Sequence, residues 1–132
     1  GGFKAQIEAP QNTMNTKKND PMLECVRSIC LALPESCEVE AWGHPTFRAG
    51  KKMFATYGGE PGEPAVHFNV GFDRQDKLLN DDRFFPTPYA AHRGWVSLRL
   101  TKKTDWKEVT QLAREAYRQV ALKRMLKALD AG

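Results

Sequence analysis

No apolar run in this 132-residue sequence approaches the roughly 20 residues that cross a membrane. The N-terminus has no charged start followed by an apolar stretch and a small-residue cleavage site, so no secretory signal is read. Cysteine is scarce. Cys25, Cys30 and Cys37 are odd in number and lack C-x-x-C spacing. Free thiols in a reducing cytoplasm are the simplest account. Histidine is equally sparse: His44, His67 and His92 stand far apart, with no H-x-x-x-H pair and no clustered carboxylates. That spacing excludes a local metal motif, and surface or hydrogen-bonded histidines are the ordinary reading. The serines are only Ser28, Ser36 and Ser97, none on a sharp strand-to-helix elbow. Adjacent Asp81 and Asp82 read as a solvated loop. No catalytic constellation emerges, so the sequence points to neither an enzyme nor a cofactor.

What is present is ordinary for a globular domain. Apolar residues make up 41% and charged residues 27%. Seven Phe, three Trp and three Tyr supply enough large side chains for a core without staples. The net charge is +4, which permits a nucleic-acid partner without demanding one. The charge is uneven. Arg93–Lys127 holds ten Lys/Arg against three Asp/Glu, leaving ten against thirteen elsewhere.

Residues 1–19 are polar and aperiodic and read as a flexible N-terminal segment or an expression remnant, with Met14 or Met22 as a native start. Residues 20–132 read as one domain. A helix is predicted over Pro21–Leu33, capped by Asp20 and stopped by Pro34, with Met22, Val26, Ile29 and Leu33 on its apolar face. Glu38–Trp42 alternates, with Val39 and Ala41 on one side and Glu38 and Glu40 on the other. Gly43-His44-Pro45 and Gly50-Lys51 read as turns around further short strands, with Trp42 and Phe47 as core anchors. Ala65–Val70 puts Val66, Phe68 and Val70 inward, and His67 and Asn69 outward. Asp73–Asn80 reads as a short polar helix. The two prolines of Phe84–Tyr89 argue against regular structure there. Gly94–Leu100 points Val96, Leu98 and Leu100 inward, and Trp95, Ser97 and Arg99 outward. A long helix begins at Asp105, with Glu108 completing a D-x-x-E capping box. Its apolar stripe breaks phase after Val120, since Leu122, Met125, Leu126 and Leu129 fall nearly opposite. Either the helix bends near Ala121–Lys123, or that face meets a crossing tail or a second copy. The fold class is therefore α+β: a two-layer sandwich of an antiparallel sheet with an N-terminal helix, a short middle helix and a long C-terminal helix.

Two binding surfaces are candidates. Arg48, Lys51 and Lys52 flank a turn, while His92, Arg93, Trp95, Arg99, Lys102 and Lys103 cluster around the last strand. Basic turns can meet a phosphate backbone, and outward Trp or His can stack on bases. The bland alternative is that these cations are solvated and Trp95 packs under a loop. The second surface is a ligand groove between the His44 turn, the loop around Tyr89 and the outward His67 and Asn69; a plain wet sheet face is its counterpart. The glycines of WGHPTFRAGKK do not form a phosphate loop, because Gly43 and Gly50 are seven apart and Lys52 stands where Ser or Thr must bind magnesium.

Several motifs in fixed order carry a family resemblance. LALPE (Leu31–Glu35), WGHPTFRAGKKMFA (Trp42–Ala55), RFFPTPYAAHRGWVSLRL (Arg83–Leu100), and DWKEV with EAYRQVALKR (Asp105–Arg124) resemble the MmcQ/YjbR family. The resemblance implies a compact α+β fold similar to secretion chaperones and frataxin-like domains. It also implies a predicted DNA-binding role through likeness to a double-wing module, an analogy of fold rather than of site. Asn69 stands where many relatives carry Lys, which removes one positive charge from the outward face. The expectation is thus a cytoplasmic, non-catalytic protein that binds DNA weakly and non-specifically. The alternative is a small-ligand or partner-binding domain. The chain is expected to be a monomer, or a homodimer through Leu122, Met125, Leu126 and Leu129.

Overall fold

Asp20 starts the first helix as its sequence position predicts. In the computed structural model, which describes residues 20–132, its Oδ1 accepts from the backbone amides of Met22 and Leu23 at 3.1 and 3.2 Å. Its Oδ2 accepts from the Tyr57 hydroxyl at 2.6 Å, so the cap also ties the helix to the sheet. The segment expected to be flexible, 1–19, lies outside the described residues. Helix α1 spans Pro21–Leu31 and buries Leu23, Val26 and Cys30. Met22 and Ile29 pack only partly against the core, so the buried stripe is rotated from the predicted one. The helix stops two residues before its predicted end, because the residue preceding Pro34 is pushed out of helical geometry.

Strands β1 (Ser36–Ala41), β2 (His44–Ala49), β3 (Lys52–Glu60) and β4 (Glu63–Asn69) follow as consecutive hairpins. Helix α2 (Phe72–Leu78) leads to β5 (Phe84–Pro86), a short 3-10 turn (Ala91–Arg93) and β6 (Trp95–Arg99). The sheet order is β1-β2-β3-β4-β6-β5, with every pairing antiparallel. The fold is α+β, as the pattern of elements implies. One prediction fails here: Phe84–Pro86 is a strand. Pro86 is tolerated because β5 is an edge and needs no amide donor on its outer side.

Helices α1 and α3 (Trp106–Val120) cover one face of the sheet. The row Phe47, Ala55, Phe68 and Val96 lies against them. A bulge in β3 pairs Phe47 with Ala55 and Arg48 with Met53, leaving Phe54 as the extra residue. Phe54 and Ala55 are both buried, and the Phe54 ring meets Tyr117 of α3 edge-on, with centroids 5.6 Å apart. The Tyr117 hydroxyl donates to the Pro34 carbonyl at 2.6 Å, joining α3 to the end of α1.

The phase break in the last helix is a chain break in helicity. Ala121 and Leu122 are extended, and a separate helix α4 runs over Lys123–Ala131. Re-aiming lets Met125 and Leu129 enter this chain's own core, with Leu126 packed against it. That leaves Leu122, 51% exposed, as the outward member of the proposed dimer set. The capping-box prediction at α3 is half right. Asp105 accepts from the Lys107 amide at 3.0 Å, but Glu108 is turned to Arg83 at 2.7 Å.

Candidate ligand site on the open sheet face

Register places one row of residues across all six strands on the face that the helices leave open. It reads Val39, Thr46, Thr56, His67, Ser97 and Phe85. Val39 is therefore on the open side and partly exposed, while its neighbour Glu38 turns to the helices and pairs with Arg27 at 2.6 Å. The centre of the row is polar and covered. Nδ1 of His67 and Oγ of Ser97 are 2.5 Å apart, and Oγ1 of Thr87 lies 2.9 Å from that Oγ. Ser97 is fully buried and Thr87 nearly so. Buried hydroxyls need partners, and these two groups supply each other's.

Burial, reinforced by the charge of His44, pushes the His67 imidazole down to about 4, so the ring is neutral near pH 7. The Ser97 contact fixes the ring plane. Either Ser97 donates to Nδ1 and Nε2–H is a donor, or Nδ1–H donates to Ser97 and Nε2 is an acceptor. Nε2 is on the side of Gly58. A Cβ on that glycine would sit 3.6 Å from His67 Nε2 and 3.2 Å from His44 Nδ1. The missing side chain is what leaves room beside both imidazoles.

A cavity of about 760 Å³ opens over this row. Its floor includes Thr56 and His67, and its far wall includes Thr87 and Trp95. Arg93 and Arg99 line it on the β6 side, Glu60 and Glu63 at the β3–β4 hairpin. The Arg99 guanidinium lies 4.5 Å above the Phe85 ring and donates to the Asp82 carbonyl at 2.9 Å. A narrower recess of about 120 Å³ continues between His44, Thr46, Gly58 and His67. The rim carries two aromatic residues held in the left-handed backbone region, Trp42 with φ 54° and Tyr89 with φ 65°. They are 81% and 100% exposed.

Of the predicted ligand-groove residues, His44, His67 and Tyr89 meet in this cavity, and Asn69 does not line it. Of the predicted nucleic-acid residues, only Arg93, Trp95 and Arg99 do. The other six do not line it. Lys52 pairs with Ala49 at the β2–β3 turn, whereas Arg99, in the cavity, pairs with Ala65 toward the other end of the sheet. Arg48 points its Nε to Thr46 at 3.3 Å, and Lys51, His92, Lys102 and Lys103 stand exposed away from the cavity. Trp95 is nearly buried, so it offers no free stacking face, as the packing alternative required. Trp42 is the opposite correction: it is no core anchor. The turn is Trp42-Gly43, one residue earlier than the Gly43-His44-Pro45 turn that the sequence suggests. A two-residue connection between paired Ala41 and His44 calls for positive φ at both turn positions, which turns the first side chain outward. Nothing in the sequence brings Thr87 beside Ser97; only the β5–β6 pairing does.

The family model described as YjbR matches residues 31–119. This chain belongs to the YjbR family. The match holds all six strands and most of α3, so the cavity lies wholly within the YjbR region. A crystal structure of Deinococcus radiodurans protein DR2400, with a DUF419 domain, is similar at 21% identity and a TM-score of 0.65, covering 80% of this chain and 85% of that one. A Pseudomonas syringae protein is similar at 15% identity and a TM-score of 0.55, covering 64% and 86%. At these identities the likeness speaks for the YjbR fold alone. No curated protein matches the chain.

Proposed function

We propose that this YjbR-family chain is a non-catalytic binding domain that holds a small polar ligand on the open face of its sheet. The observation that carries the reading is the Thr87–Ser97–His67 hydrogen-bonded series, which spends two buried hydroxyls on fixing one neutral imidazole at a cavity floor. The cavity has the size of small-molecule sites, and its lining mixes aromatic surface with a few placed polar groups. Ser97 serves as an orienter in this reading, because its hydroxyl is buried beneath the histidine and is not offered to a substrate. The three free thiols fit a reducing compartment such as the cytoplasm. Among the described residues no helix is long and apolar enough to cross a membrane. A thermal-shift screen with metabolites tests the proposal, since a true ligand stabilises by mass action. The expected outcome is a hit whose shift is lost in His67→Phe. A screen in which every stabiliser acts equally on both proteins would overturn it.

DNA binding through phosphate contacts is the second reading. It is favoured by the net charge of +4 and by exposed Arg93, Lys51, Lys52, His92, Lys102 and Lys103. Such binding would be weak and driven by counterion release, so affinity for duplex DNA must fall steeply with salt. A flat salt response, or no binding at low salt, would exclude it.

A further inference from the structure

Trp42 and Gly43 make a two-residue hairpin turn, both with positive φ. Asn-Gly is the sequence such a turn prefers, because Asn accepts left-handed geometry and Trp does so poorly. Trp42 does not recover that cost by burial, since it is 81% exposed. Tyr89 repeats the pattern toward the opposite edge of the sheet, in the loop between β5 and β6, fully exposed and again left-handed. Two aromatic rings are thus held in disfavoured backbone at the rim of one cavity, where their small burial gives folding little. Arg93 is exposed at the same cavity, and its guanidinium has no protein partner among the described residues.

Resting on the ligand-binding reading above, we infer that the ligand is a planar aromatic ring bearing one anionic group, with the ring stacked on the rim aromatics Trp42 and Tyr89 and the anion at Arg93. Indole and phenol faces stack on flat π-systems and tolerate differences in ring identity. The guanidinium supplies paired donors to a phosphate or a carboxylate. Glu60 and Glu63 on the hairpin wall repel a second anion and accept from ring amino or sugar hydroxyl groups. A nucleoside monophosphate and a simple aromatic carboxylate share this chemistry.

Calorimetric titration of the whole chain distinguishes them. The probes are the four ribonucleoside 5′-monophosphates, nicotinate, indole-3-acetate and, as the ring-free control, ribose 5-phosphate. At least one ring-bearing anion is expected to bind about tenfold or more tighter than ribose 5-phosphate. A monophosphate hit identifies a nucleotide, and a nicotinate or indole-3-acetate hit identifies an aromatic acid. Trp42→Asn is expected to weaken that binding about tenfold while leaving Tm no lower than that of the unchanged chain, a combination that a structural role for Trp42 would not produce. Arg93→Ala should weaken the same probe. A lower Tm in Trp42→Asn, or ring-bearing anions binding no better than ribose 5-phosphate, would overturn the inference. If a ring-free compound binds in a manner lost in His67→Phe but kept in Trp42→Asn, the ring is wrong and the cavity reading stands. If nothing binds, both fall.

Discussion

His67 Nδ1 sits 2.5 Å from the Oγ of Ser97, a hydroxyl sealed beneath it and backed in turn by Thr87. Removing that hydroxyl strands two buried groups at once. Ser97→Ala is expected to lower folding stability by about 1–3 kcal/mol, measured by urea denaturation. In ¹⁵N spectra the His67 ring should lose its single tautomer. A variant with unchanged stability and an unchanged ring spectrum would mean that the contact is idle.

Stability should depend on pH through the same ring. The folded state holds His67 down at about 4, whereas the unfolded chain binds the proton near its ordinary 6.5. The contribution is therefore full above about pH 6.5 and disappears as pH falls toward 4, because the unfolded state takes up protons first. It amounts to about 3 kcal/mol at most. Comparing denaturation midpoints at pH 7 and pH 4.5 isolates it: His67→Phe should lose distinctly less stability on acidification than the unchanged chain.

Adjacent glycines in β3 should behave differently. A Cβ on Gly58 meets only imidazole atoms, at 3.2 Å and beyond, so Gly58→Ala is expected to fold and to lose ligand affinity by crowding His44 and His67. Gly59 has φ 102°, and its Cβ would fall 2.4 Å from the Glu63 carbonyl oxygen. Gly59→Ala should destabilise the β3–β4 hairpin by more than about 1 kcal/mol. Thermal melts of the two variants check the contrast.

Leu122 is the outward residue of the α3–α4 junction. With Met125 and Leu129 in the chain's own core, Leu122→Glu is expected to leave the solution mass unchanged and monomeric by light scattering. A dimer of the unchanged chain that dissociates in the variant would contradict this.

Much of the scaffold was legible because its signals are local. Asp20 and Asp105 lie one residue before their helices and cap them as their chemistry requires. Strand alternation alone places His67 and Ser97 outward. Their meeting was not legible, because it depends on which strands become neighbours: β4 pairs with β6, thirty residues on. The fate of Val39 was hidden for a similar reason. Alternation separates two faces without saying which one the helices cover, and the Arg27–Glu38 pair settles that only in three dimensions. Proximity in sequence around β6 likewise does not tell which basic side chains share a surface: Arg93 and Arg99 line the cavity, and Lys102 and Lys103 do not.

The sheet terminates in β5, whose last residue, Pro86, has no amide hydrogen to give, with Pro88 two positions further on. A neighbouring chain that approaches this margin finds an incomplete ladder to zip against. Strand-by-strand growth is therefore capped on the β5 side, and protection against fibrous self-association is built into the loop that also supplies Tyr89.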